Sequence, residues 1–107
     1  MEQLFIPTSQ GIKAVMTENI IRIEANSNYC RVYFTNSQPL TVAKVLHWFE
    51  EKLPEQYFYR IHHGHIVNCL FISEVSYTSQ LTLTNGEQLQ ASRRKKGVVR
   101  RMTGRRA

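Results

Sequence analysis

Apolar and polar positions alternate along most of this chain, and that alternation predicts short strands. Leu4 to Pro7 reads as one strand and Ile12 to Met16 as a second, with Thr8-Ser9-Gln10-Gly11 as the turn between them. Ile20 to Ala25 sets Ile21, Ile23 and Ala25 against Arg22 and Glu24, a half-buried strand that stops where Asn26-Ser27-Asn28 supplies turn-forming side chains. Tyr29 to Thr35 follows, with Cys30, Val32 and Phe34 on one face and Tyr29, Arg31 and Tyr33 on the other. Asn36-Ser37 closes a hairpin and Leu40 to Val42 makes one more short strand. At Ala43 the period changes. Val42, Val45, Leu46, Phe49 and Leu53 fall at helical spacing, which predicts an amphipathic helix that Pro54 stops. Trp48 lies off that stripe and is expected to cover the core's edge, and His47 to face solvent.

The stretch from Tyr57 to Ile72 holds three of the chain's four histidines. A strand broken at Gly64 fits it, with His63 and His65 on one side and His62 on the other. An interior glycine marks a bulge or a close backbone approach, and either would aim the histidines away from a flat sheet. Farther on, Val75, Tyr77, Leu81 and Leu83 alternate with Ser76, Thr78, Thr82 and Thr84, and Asn85-Gly86 is a strong hairpin signal leading into Glu87 to Ala91. Ser92 is placed to cap a last helix over Arg93 to Met102, with Val98, Val99 and Met102 apolar. Residues 103–107 read as a frayed basic tail. The fold class is therefore mostly β, in short antiparallel sheets with one central amphipathic helix and a short basic C-terminal helix. Residues 1–107 are expected to form a single domain with its core over about residues 4–102.

A chain of 107 residues can bury a core without disulfides or metal. Cys30 and Cys69 are read as reduced, half-buried small hydrophobes, because no export signal precedes them. No apolar run is long enough to span a bilayer, so a cytoplasmic protein is expected. Charge changes the picture more. Residues 1–87 carry six Lys or Arg against eight Glu, whereas residues 88–107 carry eight basic residues and no acid. A near-neutral body with a concentrated cation at one end points to a polyanionic partner, nucleic acid before anionic lipid.

Catalysis has little support: the chain has no Asp, no nucleophile in a recognisable turn and no glycine-rich phosphate loop. No catalytic residue, cofactor or metal is expected, since His-His-Gly-His matches no common zinc spacing. Arg93, Arg94, Lys95 and Lys96 occupy the first turn of the last helix, where cations are disfavoured by the helix dipole. Free helix N–H groups beside four cations suit phosphate oxygens, and Arg100, Arg101, Arg105 and Arg106 extend the attraction.

Taken together, E-A-N-S-N-Y, the helix ending in L-P, F-Y-R-I-H-H-G-H-I-V-N and N-G-E-Q-L-Q-A-S-R-R resemble the LytTR family of bacterial DNA-binding domains over about Leu4 to Met102. The resemblance implies a mostly β domain that binds duplex DNA through loops, with base-reading side chains on three segments. In this sequence those segments are the loop Asn26 to Cys30, with Ser27 among its residues, the turn at His63 and Gly64 with His65 beside it, and Arg93 to Lys96. Asn28, His63 and Arg94 are the leading base-contact candidates, and Arg93, Lys95 and Lys96 the phosphate anchors. Where the family commonly shows H-R-S, this chain reads His62-His63-Gly64. The missing arginine removes a guanine reader worth about 1–3 kcal/mol of discrimination. Histidine can still donate to guanine, more so when protonated, so affinity is expected to rise toward pH about 6. The family's domains usually follow a receiver, and with Met1 just ahead of the first strand a stand-alone regulator is expected. It would be controlled through expression, a separate signalling partner, or dimerisation on paired DNA repeats. Two other readings remain: an RNA or single-strand binder using Tyr29, Tyr33 and Phe34 as a stacking face, although the alternation sets Phe34 opposite the two tyrosines, and a protein-interaction module whose basic end binds an acidic partner.

Overall fold

The strands form where apolar residues recur at every second position, and the computed structural model describes them within residues 2–104. β1 (Gln3–Thr8) and β2 (Gly11–Met16) make a two-stranded hairpin. The central sheet has five strands: β3 (Ile20–Asn26), β4 (Tyr29–Phe34), β5 (Leu40–Val42), β6 (Phe58–His62) and β7 (His65–Asn68), in the order β5-β4-β3-β7-β6. A third sheet pairs β8 (Ile72–Val75), β9 (Gln80–Leu83) and β10 (Gln88–Gln90). All pairings are antiparallel. The helices are α1 (Leu46–Lys52) and α2 (Lys96–Gly104), the latter preceded by a 3-10 turn at Arg93–Lys95. The fold is mostly β in short antiparallel sheets, as the alternation implies.

Two apolar clusters lie against the central sheet. In one, Ile20, Ile23, Val32 and Ile66 of the sheet meet Leu4 and Ile6 of β1 and Leu46 and Phe49 of α1. In the other, Tyr59, Ile61 and Val67 meet Leu81 and Leu83 of β9 and Val99 and Met102 of α2. Both cysteines are buried, Cys30 in the first cluster and Cys69 in the second. Asn68, at the end of β7, is also buried: its Nδ2 donates to the Ile20 carbonyl at 2.9 Å and its Oδ1 accepts from the Leu70 N–H at 3.0 Å. Among the described residues no helix is long and apolar enough to cross a membrane.

Five local features differ from the sequence reading. The central helix begins at Leu46, not Ala43, because Val42 pairs with Cys30 as the last residue of β5 and Val45 stays extended and exposed. A strand residue and a helix residue each turned an apolar side to one core, and together they imitated helical spacing. The histidine stretch is a hairpin with His62 opposite His65, and its register shift falls between Arg60 and His62, not at Gly64. The Val75 to Leu83 alternation is interrupted by a turn that leaves Tyr77 fully exposed. Ser92 precedes the last helix with extended backbone but makes no side-chain cap; its carbonyl accepts from the Lys95 N–H at 3.0 Å. That helix continues through Thr103 and Gly104, and the rest of the expected basic tail, residues 105–107, lies outside the described residues.

Candidate nucleic-acid interface

The β3–β4 pairing ends at Asn26 opposite Tyr29, so Ser27 and Asn28 form the turn, and Ser27 takes a left-handed φ of 57°. β7 runs antiparallel beside β3 with His65 opposite Glu24, which carries the His63–Gly64 turn to the same end of the sheet. The Ala25 N–H donates to the Gly64 carbonyl at 2.8 Å and holds the two turns together. The third segment is tied in through Ser92, whose N–H donates to the Ile61 carbonyl at 2.9 Å. Arg60, His63, Ser92, Arg93, Arg94 and Lys95 then line one open hollow of about 710 Å³.

The three segments singled out in the sequence are thus neighbours, but their residues are not equally available. Asn26, Ser27, Asn28, His63, Arg93, Arg94 and Lys96 are exposed, and Lys95 is half-buried. Cys30 is withdrawn into the core, where burial pushes its thiol pKa up, so its side chain presents nothing at the surface. His65 also turns inward. Its Nε2 lies 3.1 Å from Arg22 Nη1, so the neutral ring accepts that hydrogen bond through Nε2. Burial, then the Arg22 charge, holds its pKa below the ordinary 6.5. His63 and His65 therefore do not share a side as they would on one continuous strand.

Arg22 is a member of the sheet's polar row that the fold has enclosed. It is only 7% exposed. Its Nε and Nη2 donate to the two carboxylate oxygens of Glu87 at 3.3 and 2.9 Å, and its guanidinium stacks 3.8 Å over the Tyr33 ring. Burial is the largest single influence and opposes the charge, but the hydrogen bond to Glu87 together with the charges of Glu87, Tyr33 and Glu24 outweighs it, and the guanidinium pKa is raised. The bonds from Arg22 and Asn85 hold the Glu87 carboxyl below its ordinary range. Because Arg22 covers Tyr33, whose hydroxyl donates to Glu24 at 3.4 Å, that ring is poorly placed to stack on an unpaired base.

Sequence reasoning passed over Arg60. On β6 its Nη1 donates to Glu50 Oε1 of α1 at 3.1 Å, and its Nη2 donates to the His63 carbonyl at 2.6 Å, so it braces the turn that carries His63. Only a full hairpin at residues 63 and 64 brings those groups within reach, and a strand merely broken or bulged at Gly64 does not reveal it.

A β scaffold that brings two exposed polar turns and a cationic segment to one end is the form of a nucleic-acid-binding module that works through loops. Residues 10–104 match the LytTr DNA-binding domain model, and the chain belongs to that family, one of DNA-binding domains and not of enzymes. The transcriptional regulatory protein LytR of Staphylococcus aureus is 31% identical over 96 residues, which cover 86% of this chain and 39% of that protein. The sensory transduction protein LytR of Staphylococcus haemolyticus is 32% identical over 96 residues, 86% of this chain and 34% of that protein. The chain thus spans well under half the length of both relatives. A solved LytTr DNA-binding domain from Bacillus cereus superposes with a TM-score of 0.81 over 97% of this chain and 98% of that one; at 24% identity it shows the shared fold.

Proposed function

We propose that this chain binds duplex DNA sequence-specifically in the bacterial cytoplasm and serves transcription regulation, its turns reading major grooves and its C-terminal cations holding phosphates. The observation that carries this reading is convergence: His63 and Arg94 line one hollow, and the Asn28 turn is hydrogen-bonded next to it. In this reading Asn28, His63 and Arg94 contact bases. Arg93, Lys95 and Lys96 anchor phosphates and set register without reading sequence. His63 presents an exposed imidazole whose ring N–H can donate to guanine. Two copies on paired repeats, answering to a separate signalling partner, complete the proposal; the family resemblance supports that part.

Salt dependence tests the division of labour. If Arg93 to Lys96 neutralise about four phosphates, log affinity falls with log salt at a slope of about −3.6. Changing Lys95 and Lys96 together to Ala flattens that slope by about 1.8 and preserves sequence preference. Arg94→Ala instead relaxes preference at one base pair by about 1–3 kcal/mol. Two variants with the same slope and the same preference would contradict the assignment of anchors and readers.

A further inference from the structure

The turn between β8 and β9, Ser76–Ser79, belongs to none of the three segments, yet it is built to hold a fixed shape. The Ser79 N–H donates to the Ser76 carbonyl at 3.0 Å, and Gln80 N–H donates to Ser76 Oγ at 3.0 Å. Gln90 Nε2 donates to the carbonyls of Thr78 and Ser79 at 2.9 and 3.3 Å, and the Ala91 N–H donates to the same Ser79 carbonyl at 3.0 Å. Ser79 is held at a left-handed φ of 64°, a conformation that a side chain adopts at some cost unless its surroundings impose it. This braced turn presents Tyr77 with its ring fully exposed.

Folding gains nothing from that ring, because it buries no surface. An aromatic with a hydroxyl, presented outward on a braced backbone, has only two side-chain torsions to fix on contact, which keeps the cost of binding low. Its neighbourhood specifies the ligand. Tyr77, Ser79, His62, Gln90, Arg93 and Lys96 line an open hollow of about 680 Å³, with two permanent cations and no carboxylate among its lining residues. Ser92 and Arg93 also line the hollow that holds His63 and Arg94, so the two hollows adjoin along residues 92–96. The rings of His62 and His63 lie 4.2 Å apart, and His62 lines the hollow beside Tyr77 while His63 lines the other.

We propose that Ser76–Ser79 is a fourth contact segment, in which Tyr77 with Arg93 and Lys96 grips the phosphodiester backbone of the duplex beyond the base pairs that are read. The cations pair with a phosphate, the phenol hydroxyl donates to one of its oxygens and the ring lies along the sugar. This rests on the duplex-binding reading and lengthens its footprint without adding sequence information.

The test uses the full chain, fluorescence anisotropy and a duplex selected for binding, in two lengths: trimmed to the selected base pairs, and extended at each end by half a helical turn, about 5 bp. The wild-type chain binds the extended duplex more tightly. Tyr77→Ala removes that gain, a loss of about 5-fold, with an unchanged preference for the selected sequence over a scrambled one. Tyr77→Phe loses part of it, and neither variant alters the salt slope, whereas Lys96→Ala lowers the slope by about 0.9. Thermal unfolding of Tyr77→Ala matches wild type, since the ring packs against nothing. A variant that binds both lengths as wild type does would overturn the fourth contact. So would a drop in the selected-to-scrambled ratio, which makes Tyr77 a base reader, or a larger loss on single strands, which makes it a stacking platform. A wild-type chain with no preference for duplex defeats the underlying reading instead, and that failure is visible without any variant.

Discussion

Arg22 shows what a single side chain contributes here. It joins the central sheet to the β9–β10 hairpin through Glu87, 65 residues away, while His65 accepts a further bond from it. The alternation of β3 assigned Arg22 to the solvent side, and nothing local to residue 22 announces that another hairpin will close over it. The cluster makes stability depend on pH in a definite direction. His65 faces Arg22, Glu24, His62 and Glu87, and its pKa is lowered in the folded chain. The unfolded chain therefore takes up that proton first, and stability falls as pH drops below about 6.5. Glu87, also lowered, adds stability above about pH 4.5 that is lost as pH falls through its folded value. Urea unfolding midpoints should decline from pH 7 to pH 5 and again below 4.5, and His65→Gln, which keeps an acceptor for Arg22, should remove the first decline. A midpoint flat from pH 7 to pH 5 in the wild-type chain would show that the His65–Arg22 contact carries no linkage. Acid thus weakens the fold through His65, so DNA binding at low pH must be measured where the chain stays folded.

Among elements, hairpins were the most legible and boundaries the least. Asn85-Gly86 and the Asn26 to Asn28 turn announce themselves because their residue types satisfy the turn backbone directly. The β6–β7 hairpin did not, because His63 and Gly64 carry no strong turn signature and glycine invites the reading of a bulge. Its backbone does not need glycine. The φ of Gly64 is not positive, and a Cβ there would meet only His62 Nδ1 at 3.7 Å, ordinary contact. Gly86 has open space around it but a φ of +92°. Gly64→Ser should therefore shift stability by less than about 0.5 kcal/mol, whereas Gly86→Ala should cost about 1 kcal/mol. Thermal unfolding decides it, and a Gly64 variant more damaging than the Gly86 variant would reverse the roles assigned to the two turns.

At the scale of the whole molecule, the central sheet is packed by β1 and α1 in one cluster and by β9 and α2 in the other, and its turns at one end stay free. The sequence disclosed the ingredients of this end, namely the cations of residues 93–96 and the polar turns, through charge asymmetry and family resemblance. It did not disclose Arg60, the Tyr77 turn or the inward direction of Cys30 and His65, since each depends on contacts between distant strands. The gathered turns are proposed to read base pairs. Selection of bound duplexes from a randomised pool at near-physiological salt, with the isolated chain, tests it most directly. The expected result is an enriched motif, as one site or as two repeats about 10–10.5 bp apart, that loses information at one position with Arg94→Ala. Recovery of duplexes without a common motif, with binding abolished as salt rises, would contradict it and reduce the basic end to a nonspecific attraction.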